Sequence, residues 1–129
     1  AFAENQHVFR RTRLMGLVSN GMLGAMYRQA SVIILPKTGG GGSNLKTAEA
    51  LYAGRHVLGT PLALRGFEDF AAAPGVRLAR PGTDFVAALA DMLARPPLRL
   101  PPTACAPRAR LAWSRSIAEL PSAIAGLGA

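Results

Sequence analysis

Apolar positions along this chain follow two alternating periods. Short β-branched runs read as strands, and apolar residues three or four apart read as helices. Thr12 to Val18 (TRLMGLV) reads as a strand, after which Asn20 caps a helix presenting Met22, Leu23, Met26 and Tyr27 before Ala30. Ser31 to Leu35 (SVIIL) is the next strand, closed by Pro36, and Leu45, Ala48, Leu51 and Tyr52 then recur at helical spacing up to a stop at Gly54. His56 to Thr60 reads as a strand ended by Pro61, Phe67 to Ala73 as a short helix, and Val76 to Ala79 as a fourth strand. Pro81-Gly82-Thr83 opens a helix with Phe85, Leu89, Met92 and Leu93 on one face, ended by Pro96-Pro97. Five prolines then mark residues 96 to 107 as an extended connector, and a last helix is expected over 107–125, kinked at Pro121. There it presents Leu111, Trp113, Ile117, Leu120 and Ile124, with Trp113 as a packing anchor. Strand and helix alternate throughout, which predicts an α/β fold: an open parallel sheet with helices on both faces, in one domain.

The segment between the second strand and the second helix carries the candidate chemistry. Gly39 to Gly42 form a glycine loop that lets backbone approach a ligand closely, and Ser43 or Asn44 is placed to cap the helix behind it. The N–H groups around Ser43, Asn44 and Leu45 then face an anion at the positive end of the helix dipole. Two other readings compete for the same residues. GGGGS is also the composition of a flexible linker, although the strand and cap on its flanks argue for a committed turn. Lys46-Thr47 with Gly40 approaches the phosphate loop G-x-x-x-x-G-K-[ST], but Leu45 stands where the second glycine is required.

Composition narrows the class. With 129 residues, half of them hydrophobic, the chain can bury one ordinary core. No apolar run approaches the roughly 18 residues of a membrane span, and AFAENQHVFRR lacks a secretory core, so a cytoplasmic protein is expected. A single cysteine, Cys105, excludes an internal disulfide and reads as a small apolar residue; neither His7 nor His56 stands at metal-ligand spacing from it. The net charge of +8 is nearly all arginine, since only Lys37 and Lys46 are lysines. Such a surface attracts phosphorylated molecules, anionic membrane or nucleic acid alike. The one tight basic cluster, Arg10, Arg11 and Arg13, lacks interleaved aromatics and any nucleic-acid-binding signature, so it reads as a solvated surface.

From Leu14 to Leu93 the order of parts resembles a known family. Gly16 in the first strand, Met26-Tyr27 and Ala30, the strand to Pro36, GGSNLKTAEALYAG, HVLGT and Gly66-Phe67 look like the C-terminal, donor-binding domain of a GT-B glycosyltransferase of the glycogen-synthase-like retaining clan. The most specific part is Gly42-Ser43-Asn44-Leu45-Lys46 followed by Ala48-Glu49-Ala50. The resemblance implies a Rossmann-like domain, incomplete on its own, that binds a nucleotide-sugar while a partner domain binds a glycan or lipid-linked acceptor. It places the loop at Gly41 and the amides of Gly42, Ser43, Asn44 and Leu45 at the donor diphosphate, Lys46 as its counter-charge, Glu49 at the ribose hydroxyls, and Gly16 to Ser19 near the base. The chain has no Asp-x-Asp pair, which fits a metal-independent enzyme of this kind, so no metal or other cofactor is expected, and the basic cluster at Arg10, Arg11 and Arg13 gives no reason to expect a nucleic-acid partner. The protein would lie peripheral to the inner membrane face where the acceptor is lipid-linked.

Local geometry is compatible with those roles. Glu49 lies one turn beyond Leu45, about 6 Å along a helix axis, so a phosphate at the helix start leaves a ribose within carboxylate reach. The plainer reading of Glu49 is an i, i+3 pair with Lys46. His56 reads as structural, and Met22 and Met26 as core. Many retaining members carry a second glutamate eight residues before the helix glutamate, where this chain has Gly41. No catalytic residue is therefore assigned. A non-catalytic module for a phosphorylated or anionic ligand is the alternative to sugar transfer.

Overall fold

Three of the β-branched runs become strands of one sheet. The computed structural model describes residues 11–112. In it β1 (Val32–Leu35), β2 (His56–Gly59) and β3 (Val76–Leu78) lie side by side in that order. Both pairings are parallel, with Ile33 beside Val57 and Val57 beside Val76. Parallel neighbours require a crossover. Helix α2 (Leu45–Tyr52) supplies it between β1 and β2, and two 3-10 turns, Pro61–Leu64 and Glu68–Phe70, lie between β2 and β3. Helix α1 (Asn20–Gln29) precedes β1, and α3 (Thr83–Ala94) follows β3. The short α4 (Pro102–Cys105) runs into a 3-10 segment, Ala106–Leu111.

Strand alternation sends successive side chains to opposite faces. Ile33, Leu35, Val57 and Val76 meet Ala50 and Leu51 of α2 together with Phe70, while Val32, Leu58 and Ala79 meet Phe85, Ala88 and Met92 of α3. The molecule is thus an α/β unit whose small open parallel sheet is covered by a helix on each face. Among the described residues no helix is long and apolar enough to cross a membrane.

Several elements differ from the sequence expectation, each for a physical reason. Thr12 to Val18 forms no strand, and its Leu17 side chain is fully exposed. A strand needs a hydrogen-bonded neighbour, and among the described residues none lies beside the free edge of β1. Val76–Leu78 is therefore the third strand of three. Ser19, not Asn20, caps α1, its Oγ accepting from the Met22 amide at 3.3 Å. Met22 and Met26 stand 48% and 39% exposed, so they lie outside the core. Phe67 to Ala73 shortens to one 3-10 turn whose Phe70 is buried. Residues 96 to 107 do not run extended throughout, because Pro102 starts α4, where a missing amide costs nothing. The 107–125 helix is 3-10 up to Leu111 and gives way to extended backbone at Ala112. Its remainder, with Trp113, lies outside the described residues, as do His7 and Arg10. Cys105 is half-buried with its Sγ 3.6 Å from the Gly54 carbonyl, and His56 Nε2 lies 2.8 Å from the Leu98 carbonyl, a structural contact.

Candidate functional site

The carboxyl end of β1 and the amino end of α2 face one another across the glycine loop. Open α/β sheets bind ligands at the carboxyl ends of their strands, and this is that end of the sheet. Gly40 and Gly42 carry the left-handed φ values of 91° and 87° that fold the loop back on itself. No heavy atom lies within 4 Å of where a Cβ would stand on any of the four loop glycines, so the loop borders open space.

Asn44 fixes that loop from below. It is buried, and its Nδ2 donates to the carbonyls of Arg65 at 2.8 Å and Leu62 at 3.3 Å, while its Oδ1 accepts from Lys37 Nζ at 2.6 Å. Both amide hydrogens and one oxygen lone pair are spent on tertiary partners. It consequently makes no side-chain cap to α2, although it occupies the capping position. Neither expected side-chain cap is formed; the Thr47 amide donates to the Asn44 carbonyl at 2.9 Å, while among the described residues the Leu45 and Lys46 amides have no backbone acceptor.

Two threonines complete the clamp. Thr47 Oγ1 donates to the Ala63 carbonyl at 2.6 Å, and Thr60 Oγ1 donates to the Lys37 carbonyl at 2.6 Å while accepting from the Ala63 amide at 3.2 Å. Arg65 Nη2 reaches back to the Gly42 carbonyl at 3.3 Å. Three segments of sequence, 35–37, 42–47 and 60–65, are thereby tied into one rim. Thr60→Val keeps the shape but removes the donor to the Lys37 carbonyl and one of the two acceptors of the Ala63 amide, which keeps its bond to the Thr60 carbonyl at 3.0 Å. It is expected to lower the unfolding free energy by about 2 kcal/mol, read as a shift in urea midpoint at unchanged slope.

Above the rim is a cavity of about 610 Å³ lined by Lys37, Ser43, Asn44, Leu45 and Lys46 among others, with no carboxylate on its walls. Among the described residues neither lysine is paired with an acidic side chain. Two cationic side chains and an uncapped helix start make the cavity electropositive, which suits a phosphate or diphosphate. Of the residues singled out in the sequence, Ser43, Asn44, Leu45 and Lys46 come together here, with Gly41 and Gly42 in the adjoining exposed loop.

Glu49 lies elsewhere. It lines a second cavity of about 500 Å³ between α1 and α2, with Asn20, Tyr27, Arg28 and Tyr52. Its Oε2 accepts from the Tyr27 hydroxyl at 3.0 Å, and among the described residues it makes no pair with Lys46. Residues 46, 49 and 53 share one side of a helix, so the two cavities follow one another along α2. Burial first, then the facing Glu49 carboxylate, push the Tyr27 phenol up to about 12. It is therefore a neutral donor throughout the ordinary pH range.

Lys37, Thr60, Arg65 and Tyr27 are the site residues that sequence reasoning missed. Lys37 had a usable signal, since it directly follows the proline that closes a parallel strand. Tyr27 had none, because 22 residues separate it from its partner. Among the described residues no group of three or more His, Cys, Asp or Glu is gathered to hold a metal ion. Comparison with family models, curated proteins and solved structures yields no match.

Proposed function

We propose that this chain supplies the donor-nucleotide site of a glycosyltransferase, as the Rossmann-like C-terminal half of a GT-B architecture. Such an enzyme transfers a sugar from a nucleotide-sugar to a glycan or lipid-linked acceptor bound by a partner domain. One observation carries the reading: an electropositive, carboxylate-free cavity at the start of α2 is followed along the same helix by a cavity holding a carboxylate. A nucleoside diphosphate has that order of chemistry, two anionic phosphates and then hydroxyls that donate to a carboxylate. Lys37, Lys46 and the α2 amides would meet the diphosphate, whose charge grows as it departs from the sugar, and Glu49 would take the ribose. The motif resemblance from Gly42 to Ala50 assigns the same roles to Lys46 and Glu49.

Calorimetric titration with UDP, GDP and ADP tests the proposal. At least one is expected to bind, with affinity falling as salt rises, and Glu49→Ala is expected to weaken it by about tenfold or more. A Glu49→Ala variant that binds as tightly as wild type overturns the ribose assignment. It would favour the alternative, a non-catalytic module for a phosphorylated ligand, to which the lysines of the first cavity are suited by themselves. That alternative predicts inorganic pyrophosphate to bind as well as any nucleoside diphosphate.

A further inference from the structure

We infer that Tyr27 is a positioning residue that holds the Glu49 carboxylate in the α1–α2 cleft, ready to receive the hydroxyls of a ribose. The inference rests on the donor-nucleotide reading and adds to it a residue from a different helix. The Tyr27 hydroxyl donates to Glu49 Oε2 at 3.0 Å, and among the described residues Oε1 has no hydrogen-bond partner. A glutamate on a helix surface otherwise samples several rotamers, and a ligand that needs one of them meets that cost on binding. A phenol fixed on a neighbouring helix removes part of it beforehand.

The choice of partner matters as much as its position. Lys46, one turn away, and Arg28, beside Tyr27 on the same cavity wall, are both cations, yet among the described residues neither pairs with Glu49. A neutral donor orients the carboxylate without neutralising it, so its free oxygen remains a strong acceptor for hydroxyl groups. Helix α1 has no fully buried residue of its own. Among the described residues its polar ties to the α2 region are the Tyr27–Glu49 bond and a bond from Arg55 Nη2 to the Arg28 carbonyl. The first of these spans the cleft that a nucleoside would enter.

The test uses the full chain and titrates UDP, GDP, ADP, their 2′,3′-dideoxy counterparts and inorganic pyrophosphate. Tyr27→Phe is expected to weaken the nucleoside diphosphate that wild type binds by about three- to tenfold. Pyrophosphate and the dideoxy compound should bind unchanged. In a Glu49→Ala background the same substitution should have no further effect. Equal weakening of the dideoxy compound would show a general structural role and overturn the inference. So would a Tyr27→Phe protein that matches wild type while Glu49→Ala does not, and in that case the donor reading survives. Wild type silent toward every nucleoside diphosphate defeats both together. Should Tyr27→Phe melt early, the same titrations run at a temperature where circular dichroism shows the variant folded decide instead: a loss confined to the hydroxyl-bearing nucleotide supports positioning, and an equal loss for the dideoxy compound or no loss at all overturns it.

Discussion

Replacing Arg108 by alanine is expected to lower the unfolding free energy by about 3 kcal/mol or more and the melting temperature by roughly 10 °C. Arg108 is 1% exposed, and among the described residues it faces no carboxylate. Its guanidinium instead donates to carbonyls: Nη1 to Arg55 at 2.8 Å and Leu51 at 3.4 Å, and Nη2 to Pro74. Leu51 and Arg55 flank the carboxyl end of α2, where the helix dipole is negative and a cation is favoured. Burial pulls the Arg108 pKa below its ordinary value, and Nε is buried with no partner, so the site costs something to keep charged.

Removing the side chain costs more. Leu51 O retains the Gly54 amide at 3.1 Å, but the part-buried bonds to the Arg55 and Pro74 carbonyls are lost, together with the packing of a side chain that is itself 1% exposed. Arg108→Lys should recover only part of the loss, since one ammonium cannot copy the fork that reaches both carbonyls. Exposed pairs such as Arg80 with Asp84 carry no comparable weight, because solvent screens them. Thermal unfolding followed by circular dichroism checks the prediction, and a shift within about 2 °C for Arg108→Ala would refute it.

Arg108 also shows where sequence reading runs out. In APRARL it looks like one more surface arginine, and its burial is decided by carbonyls 34 to 57 residues away. What could be read was local. Val32–Leu35, His56–Gly59 and Val76–Leu78 announced themselves by β-branching and turn residues, and α3 by a clean apolar stripe with prolines behind it. Thr12 to Val18 has a comparable apolar content, but a strand is a relation between segments, and no partner stands beside it among the described residues. Within the site, the glycine loop and α2 were visible because glycine and helical period act through their immediate neighbours. The ties of Lys37 to Asn44, Arg65 to Gly42 and Tyr27 to Glu49 were not, because each joins residues brought together only by the crossover from β1 to β2 or by the docking of α1.

Asn44 offers the sharpest separation between a local and a tertiary role. At the start of a helix, asparagine and aspartate are nearly equivalent caps. If Asn44 acted by capping α2, Asn44→Asp would leave stability almost unchanged. In the structure its Nδ2 feeds two carbonyls, Leu62 and Arg65, and aspartate would set an oxygen against both of them. Attraction to Lys37 offsets only part of that repulsion, since Lys37 already has its acceptor in Oδ1. Asn44→Asp is therefore expected to destabilise by about 2 kcal/mol, close to the effect of Asn44→Ala, which leaves the same carbonyls without a donor. The two variants should part company on ligand affinity. Both remove the two Asn44 ties to the 62–65 segment and leave only those of Thr47 to Ala63 and Arg65 to Gly42, so a bound anion must supply part of the ordering that Asn44 supplies now. Aspartate in addition places a negative charge on the wall of the electropositive cavity. Pyrophosphate is expected to bind about tenfold more weakly to Asn44→Ala than to wild type, and more weakly still to Asn44→Asp. Chemical denaturation paired with calorimetric titration reads both quantities, and an Asn44→Asp protein as stable as wild type would return Asn44 to the role of a simple cap.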